Sequence, residues 1–145
     1  MEAVVFVGVQ GSGKTTFYRE RFFNTHVRIN LDMLRTRLRE ELLVAACLAA
    51  KQPFVVDNTN PAPGDRARYI GDARRAGFRV IAYFFQTSLR EAIQRNNQRS
   101  GKHKIPPAAV AGTFRKLQAP GLAEGFDAIR MVTISLDGKF TVTEE

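Results

Sequence analysis

The stretch AVVFVGVQGSGKT, Ala3 to Thr15, decides the fold of this chain. Ala3 to Val7 is a continuous apolar run without alternation, the pattern of a strand covered on both faces in a parallel sheet. The turn that follows, Gly8 to Thr15, fits GxxxxGK[ST] without a mismatch, and a helical pattern begins directly after it. In that setting the glycines let backbone N–H groups converge on phosphate oxygens, while the helix N-terminus adds positive potential. Lys14 then reaches the β and γ phosphates, and the Thr15 hydroxyl can ligate magnesium. We expect Gly8, Gly11, Ser12, Gly13, Lys14, Thr15 and Thr16 to form a site for ATP with Mg2+.

Strand and helix patterns alternate outward from this loop. TTFYRERFF reads as helix, HVRIN as strand, and Asp32 to Ala50 as one helix with Leu34, Leu38, Leu42, Ala45 and Ala49 on a single stripe. PFVVD is a third strand, followed by an Asn-Pro turn, a helix around Arg66 to Ala76 and a stop at Gly77. FRVIAYFF is a fourth strand, and helices are expected from Ser88 to about Gln98 and from Ala108 to Leu117, on either side of a polar loop. Ala128 to Ser135 reads as the last core strand, with the Asp-Gly turn of LDGKFTV leading into a short edge strand. This order implies an α/β fold of three layers, with a mostly parallel, doubly wound sheet and a helical lid at about residues 88–107.

At 145 residues, 44% of them hydrophobic, the chain suits one domain over residues 1–145. Its longest apolar run, Leu42 to Ala50, is too short to span a bilayer, and the start shows no basic leader, so a soluble cytoplasmic protein without membrane contact is expected. The lone Cys47 excludes an internal disulfide and a multi-thiolate zinc site, and its alanine-rich surroundings suit a small buried apolar residue. The net charge of +8 is regional: twelve Lys or Arg stand against Asp72 and Glu91 between Arg66 and Lys116, leaving the remainder slightly acidic. Such a region is either a solvated face or a surface for polyphosphate or nucleic acid.

A phosphate loop alone does not name a reaction. No guanine-reading NKxD motif occurs and the chain is short for a motor ATPase, which favours a kinase. Strands of a doubly wound sheet end at the edge that holds the phosphate loop, so Asp32 and Asp57, each following a strand, face the bound nucleotide. Asp57 suits the acid that organises magnesium, although an Asx turn uses the same residues. On its own stretch Asp32 suits a helix cap better than a catalyst, but with a phosphate donor opposite, a kinase needs a carboxylate to take the acceptor's proton, and Asp32 is then the candidate base. Arg35, one turn later, can hold that carboxylate or an acceptor phosphate. In QRNNQRSGKHKIP, Arg95 and Arg99 share a helix face and suit a lid that closes on the phosphates; Lys102, His103 and Lys104 extend the basic surface.

Together these residues resemble the kinase domain of the polynucleotide 5′-hydroxyl kinases, of both the bacteriophage and the eukaryotic end-processing type. The resemblance rests on GVQGSGKTTF, INLD, DNTNP with RARYI, RNNQR and APGLAEGFDAI, which together cover most of the chain. It implies that Asp32 is the general base toward a DNA or RNA 5′-OH, that Lys14 and Thr15 handle phosphate and metal, that Arg95 and Arg99 are lid arginines and that Arg35 contacts the acceptor. Asn58 and Asn60 of DNTNP are assigned to the acceptor side as well. Two features depart from the family. Leu31 stands where an arginine is usual before the base, and no DxDGT phosphatase motif occurs, so no phosphatase activity is expected. Alternatives are a kinase for another hydroxyl, such as a small metabolite, a nucleoside or a hydroxymethylated DNA base, and a nucleotide switch in which Asp32 only caps its helix.

Overall fold

The computed structural model describes residues 1–101 and 104–145; Lys102 and His103, grouped above with the basic surface, lie outside the described residues. Strand β1 (Glu2–Val7) is central because it is apolar on both sides. It pairs in parallel with β3 (Phe54–Val56) and with β4 (Arg79–Phe85), so that Val4 stands between Val55 and Ile81. With β2 (Val27–Ile29), β5 (Ala128–Ile134) and β6 (Phe140–Glu144), the sheet has the order β2-β3-β1-β4-β5-β6. Among the described residues only β6 runs antiparallel, returning from β5 through the expected Asp-Gly turn. The mostly parallel, doubly wound sheet read from the sequence is therefore the one that forms.

The alternation of β1 divides the core. Ala3, Val5 and Val7 pack with Val44, Cys47, Tyr69 and Ile70 of helices α3 (Arg37–Ala50) and α4 (Pro63–Arg75). Val4 and Phe6 pack on the opposite face with Phe17, Tyr18 and Phe22, which belong to or follow α1 (Lys14–Arg21). Aromatic edges fill this second layer, with Phe6 and Phe85 ring centres 4.9 Å apart. Val9 of the phosphate loop joins Ala92 and Val110, from α5 (Leu89–Asn97) and α6 (Pro107–Lys116), in a third small cluster. Among the described residues no helix is long and apolar enough to cross a membrane.

One expected element is divided. The segment read as one helix from Asp32 to Ala50 is a single turn, α2 (Leu31–Leu34), then a break, then α3. Arg35 has φ 77°, and Thr36 caps the new helix by accepting a hydrogen bond from Arg39 N. The break resets the phase. Leu34 packs against the core, but Leu38 and Leu42 are 64% and 62% exposed, Ala45 and Ala49 are exposed too, and Glu40, Val44 and Cys47 point inward instead. Cys47 is buried, as its alanine-rich setting implied.

The basic region is not uniform either. Arg66 is fully buried, donating from Nε and Nη2 to the Glu124 carboxylate at 2.9 and 3.2 Å and from Nη1 to Asn60 O and Gln118 O. It therefore fastens the DNTNP turn to the segment before β5, whereas Arg68, Arg90, Lys104, Arg115 and Lys116 are exposed.

Arg35 takes its left-handed backbone at the break, and its guanidinium makes no hydrogen bond or ion pair with the described residues. Such a conformation costs a non-glycine residue on the order of 1 kcal/mol. Arg35→Gly is expected to raise the unfolding free energy in urea by about 0.5–1 kcal/mol; a fall in stability would contradict this account of the break.

Candidate nucleotide and acceptor site

The phosphate loop is shaped by close backbone approaches. Gly11 has φ 80° and lies so near α5 that a Cβ would stand 2.4 Å from Ala92 O. Gly13, with φ 92°, starts α1, and Gly8 leaves no room for a side chain between Ser12 Oγ and Phe85 Cβ. Lys14 Nζ donates to Gly8 O at 3.0 Å and to Val9 O at 2.8 Å. Ser12 Oγ is buried and makes no hydrogen bond among the described residues. A buried hydroxyl without a partner, beside a helix N-terminus, is what a phosphate oxygen would satisfy. Thr16 lies exposed in the first turn of α1.

Burial pushes the Lys14 ammonium down to about 8; Asp57 and Asp32 pull the other way, and Arg99 reinforces the lowering. All four side chains thus share one electrostatic site. Thr15 Oγ1 donates to Asp57 Oδ2 at 3.0 Å, and the same carboxylate oxygen accepts from Arg28 Nε at 2.8 Å. One hydroxyl and one buried carboxylate at the end of a phosphate loop are the hard oxygen donors magnesium uses alongside nucleotide phosphates. Among the described residues there is no group of three or more His, Cys, Asp or Glu that could hold a metal ion.

Asp32 lies in the first turn of α2, but the cap is Asn30, whose Oδ1 accepts from Met33 N at 2.9 Å. The Asp32 carboxylate is exposed and makes no hydrogen bond with the described residues. Three bonds fix this turn to the Asp57 turn. Asn30 Nδ2 donates to Asp57 O at 2.6 Å, Leu31 N donates to Asn58 Oδ1 at 2.9 Å, and Asp57 N donates to Ile29 O at 2.8 Å. The two acids are thereby held at one edge of the sheet.

Asn58 and Asn60, expected on the acceptor side, have their amides engaged inside the protein. Asn58 Nδ2 donates to Glu40 Oε2 at 3.0 Å, and Glu40 Oε1 also accepts from Arg37 at 2.7 Å and Tyr69 at 3.1 Å. Burial, followed by the nearby Glu40 charge, pushes the Tyr69 hydroxyl up. Asn60, at φ 45°, donates to Phe6 O at 2.9 Å, and Thr59 O accepts from Gly8 N at 3.0 Å. The DNTNP turn thus supports both the phosphate loop and the turn that carries Asp32.

Helices α5 and α6 are fastened to the phosphate loop. Arg95 Nη1 donates to Thr87 Oγ1 at 3.2 Å and lies 3.5 Å from Gly11 O. Gln10 of the phosphate loop donates to Thr113 of α6 at 3.2 Å. Asn96 is fully buried and bonds Ile105 through both ends of its amide, closing the loop that carries Arg99.

Arg28, Asn30, Glu40 and Asn96 are site residues the sequence reading did not single out. Asn30 carried a usable signal, since Asn is among the strongest N-cap residues and precedes Met33 by three. Arg28 and Glu40 carried none, because each depends on which strands and helices become neighbours.

The lowered Lys14 value has a direct consequence for stability. Between about pH 8 and the ordinary value of 10.5, the unfolded chain retains the Lys14 proton that the folded chain has lost. More protons are then bound to the unfolded state, so the Lys14 contribution to stability rises with pH through that window. Urea unfolding of nucleotide-free protein should show wild type gaining stability relative to Lys14→Met from pH 7.5 to about 10; a constant difference would contradict a buried, depressed ammonium.

This geometry has counterparts among known proteins. A family model described as AAA domain matches residues 40–120. A Schizosaccharomyces pombe (strain 972 / ATCC 24843) protein named bifunctional polynucleotide phosphatase/kinase is 28% identical over 135 residues, covering 90% of this chain and 33% of that protein. A similarly named protein of Acanthamoeba polyphaga mimivirus is 30% identical over 143 residues, covering 94% and 34%. The chain spans about a third of the length of these curated relatives. The crystal structure of a gluconokinase from Sinorhizobium meliloti 1021 shares the fold with a TM-score of 0.65 at 19% identity, over 91% of this chain and 82% of that one. With more than half of its length matched by the family model, and the sheet and phosphate loop in place, the chain belongs to the AAA domain family and has the fold of a P-loop kinase.

Proposed function

We propose that the chain transfers the γ-phosphoryl group of ATP to the 5′-hydroxyl end of a nucleic acid, with Asp32 as the general base. The observation that carries the reading is the state of Asp32. Its turn is already capped by Asn30, its carboxylate has no hydrogen-bond partner among the described residues, and its charge acts on Lys14. A carboxylate relieved of structural duty beside a phosphate loop is suited to accept a proton from a bound hydroxyl. The names of the two curated relatives support a polynucleotide acceptor, and the exposed cations of the Arg66 to Lys116 region suit its backbone phosphates.

In this mechanism the loop from Gly8 to Thr16 holds the ATP phosphates by its amides. Lys14 leaves the carbonyls of Gly8 and Val9 for the β and γ phosphates, whose charge favours its protonated form. Thr15 and Asp57 would hold magnesium, which would supply neutralising charge to the phosphates. Asp32 orients the 5′-OH in line with the leaving β-oxygen and takes its proton as the new P–O bond forms. Arg95 and Arg99 stabilise the transferring group from the lid side. Arg35 contacts the acceptor strand; Asn58 and Asn60 contribute to acceptor placement by holding the turns behind it.

ADP formation from Mg-ATP is expected to rise on adding 5′-OH oligonucleotides. Asp32→Asn should lower that rate by about 10²–10⁴-fold while ATP affinity changes little; equal losses of both would make Asp32 a structural residue. Affinity for long acceptors should fall steeply with salt, whereas a flat salt response with a small polyol as the effective acceptor would favour a metabolite kinase.

A further inference from the structure

Arg28 projects from the middle of β2 and pairs in register with Val55, whose side chain lies in the α1 layer. Its guanidinium therefore reaches the phosphate-loop helix. Nε donates to Asp57 Oδ2 at 2.8 Å, Nη2 donates to Thr15 Oγ1 at 3.3 Å, and Nη1 lies 4.0 Å from the sulfur of Met33, the neighbour of Asp32. The Asp57 side chain is 1% exposed, whereas that of Arg28 is 25% exposed.

These contacts use the oxygens assigned to magnesium. A buried carboxylate needs a counter-charge, and an arginine cannot supply it and then become neutral, since its guanidinium stays protonated. Magnesium demands oxygen ligands at about 2.0–2.1 Å in near-octahedral geometry, which a guanidinium hydrogen-bonded to the same carboxylate oxygen obstructs. Two cations competing for the same carboxylate oxygen would also repel one another. Partial exposure gives the arginine a path away from Asp57, which has none of its own.

We propose that Arg28 is a positioning residue for the metal site: it neutralises Asp57 before nucleotide arrives, releases Asp57 and Thr15 when metal and nucleotide load, and so sets the metal concentration the site requires. The inference rests on reading Gly8 to Thr15 as the nucleotide site and is independent of the acceptor.

Its test is binding of a fluorescent ADP analogue titrated with MgCl2, without acceptor or turnover. Arg28→Gln is expected to lower the Mg2+ midpoint by about tenfold, from loss of one nearby like charge, while Arg28→Lys, which keeps the charge, stays within about threefold of wild type. An unchanged or raised midpoint in Arg28→Gln would overturn the proposal. A measurement on wild type serves even where Arg28→Gln does not fold. The Nε–Hε resonance of Arg28, protected from water exchange by its bond to Asp57, should lose that protection with Mg-ADP; retained protection would overturn the exchange of partners. No binding of the ADP analogue by wild type at any Mg2+ concentration would overturn the nucleotide-site reading and this inference with it.

Discussion

Parallel pairing of β1 with both β3 and β4 is the constraint on which the candidate site depends. Because these strands and β2 run the same way, the turns after β1, β2 and β3 all emerge on one side. Those turns carry Lys14, Asp32 and Asp57. The pairing is stable because β1 is apolar on both faces and each face has its own layer of aromatic and aliphatic side chains. A sheet built this way leaves its turns to be fixed by other groups, and side-chain amides do much of that here. Asn30 joins the turn after β2 to the one after β3, Asn58 joins that turn to Glu40, and Asn60 joins it to the end of β1.

The electrostatics of the edge follow from burial. Lys14 is stripped of water and loses affinity for its proton, and the nearby carboxylates of Asp57 and Asp32 only partly offset this. Asp57 is buried beneath Arg28, whereas Asp32 remains exposed. Two acids at one edge therefore have different environments, one enclosed by a cation and a hydroxyl, the other open to an incoming group. That difference suits one to ordering a metal shell and the other to proton transfer. Arg95 of α5 rests against the phosphate loop, while Arg99 acts on Lys14 through its field.

Much of this was legible in the sequence because backbone geometry restricts residue choice. Gly11 and Gly13 are required by positive φ, and Gly11 also by its approach to Ala92, so the phosphate loop can be read without a structure. The apolar runs before Asp57 and within β4 announce buried strands in the same way. The phase of α3 was not legible, since the apolar spacing from Leu34 to Ala49 fits a continuous helix and the break at Arg35 depends on how the Asp32 turn is tied to Asn58. Arg66 reads as one more surface cation until Glu124, 58 residues later, is brought against it. Arg28 reads as an ordinary strand residue until the register with Val55 aims it at Thr15 and Asp57.

The destination of the phosphoryl group is read by following label from γ-³²P ATP with Mg2+ into matched oligonucleotides that differ only in bearing a 5′-OH or a 5′-phosphate. DNA and RNA, single-stranded and duplex, serve as acceptors. Label is expected on the 5′-OH strand alone, removable by a phosphatase that acts on 5′ ends. Equal label on both strands would place the acceptor hydroxyl within the nucleic acid, and label on neither would contradict a polynucleotide acceptor altogether.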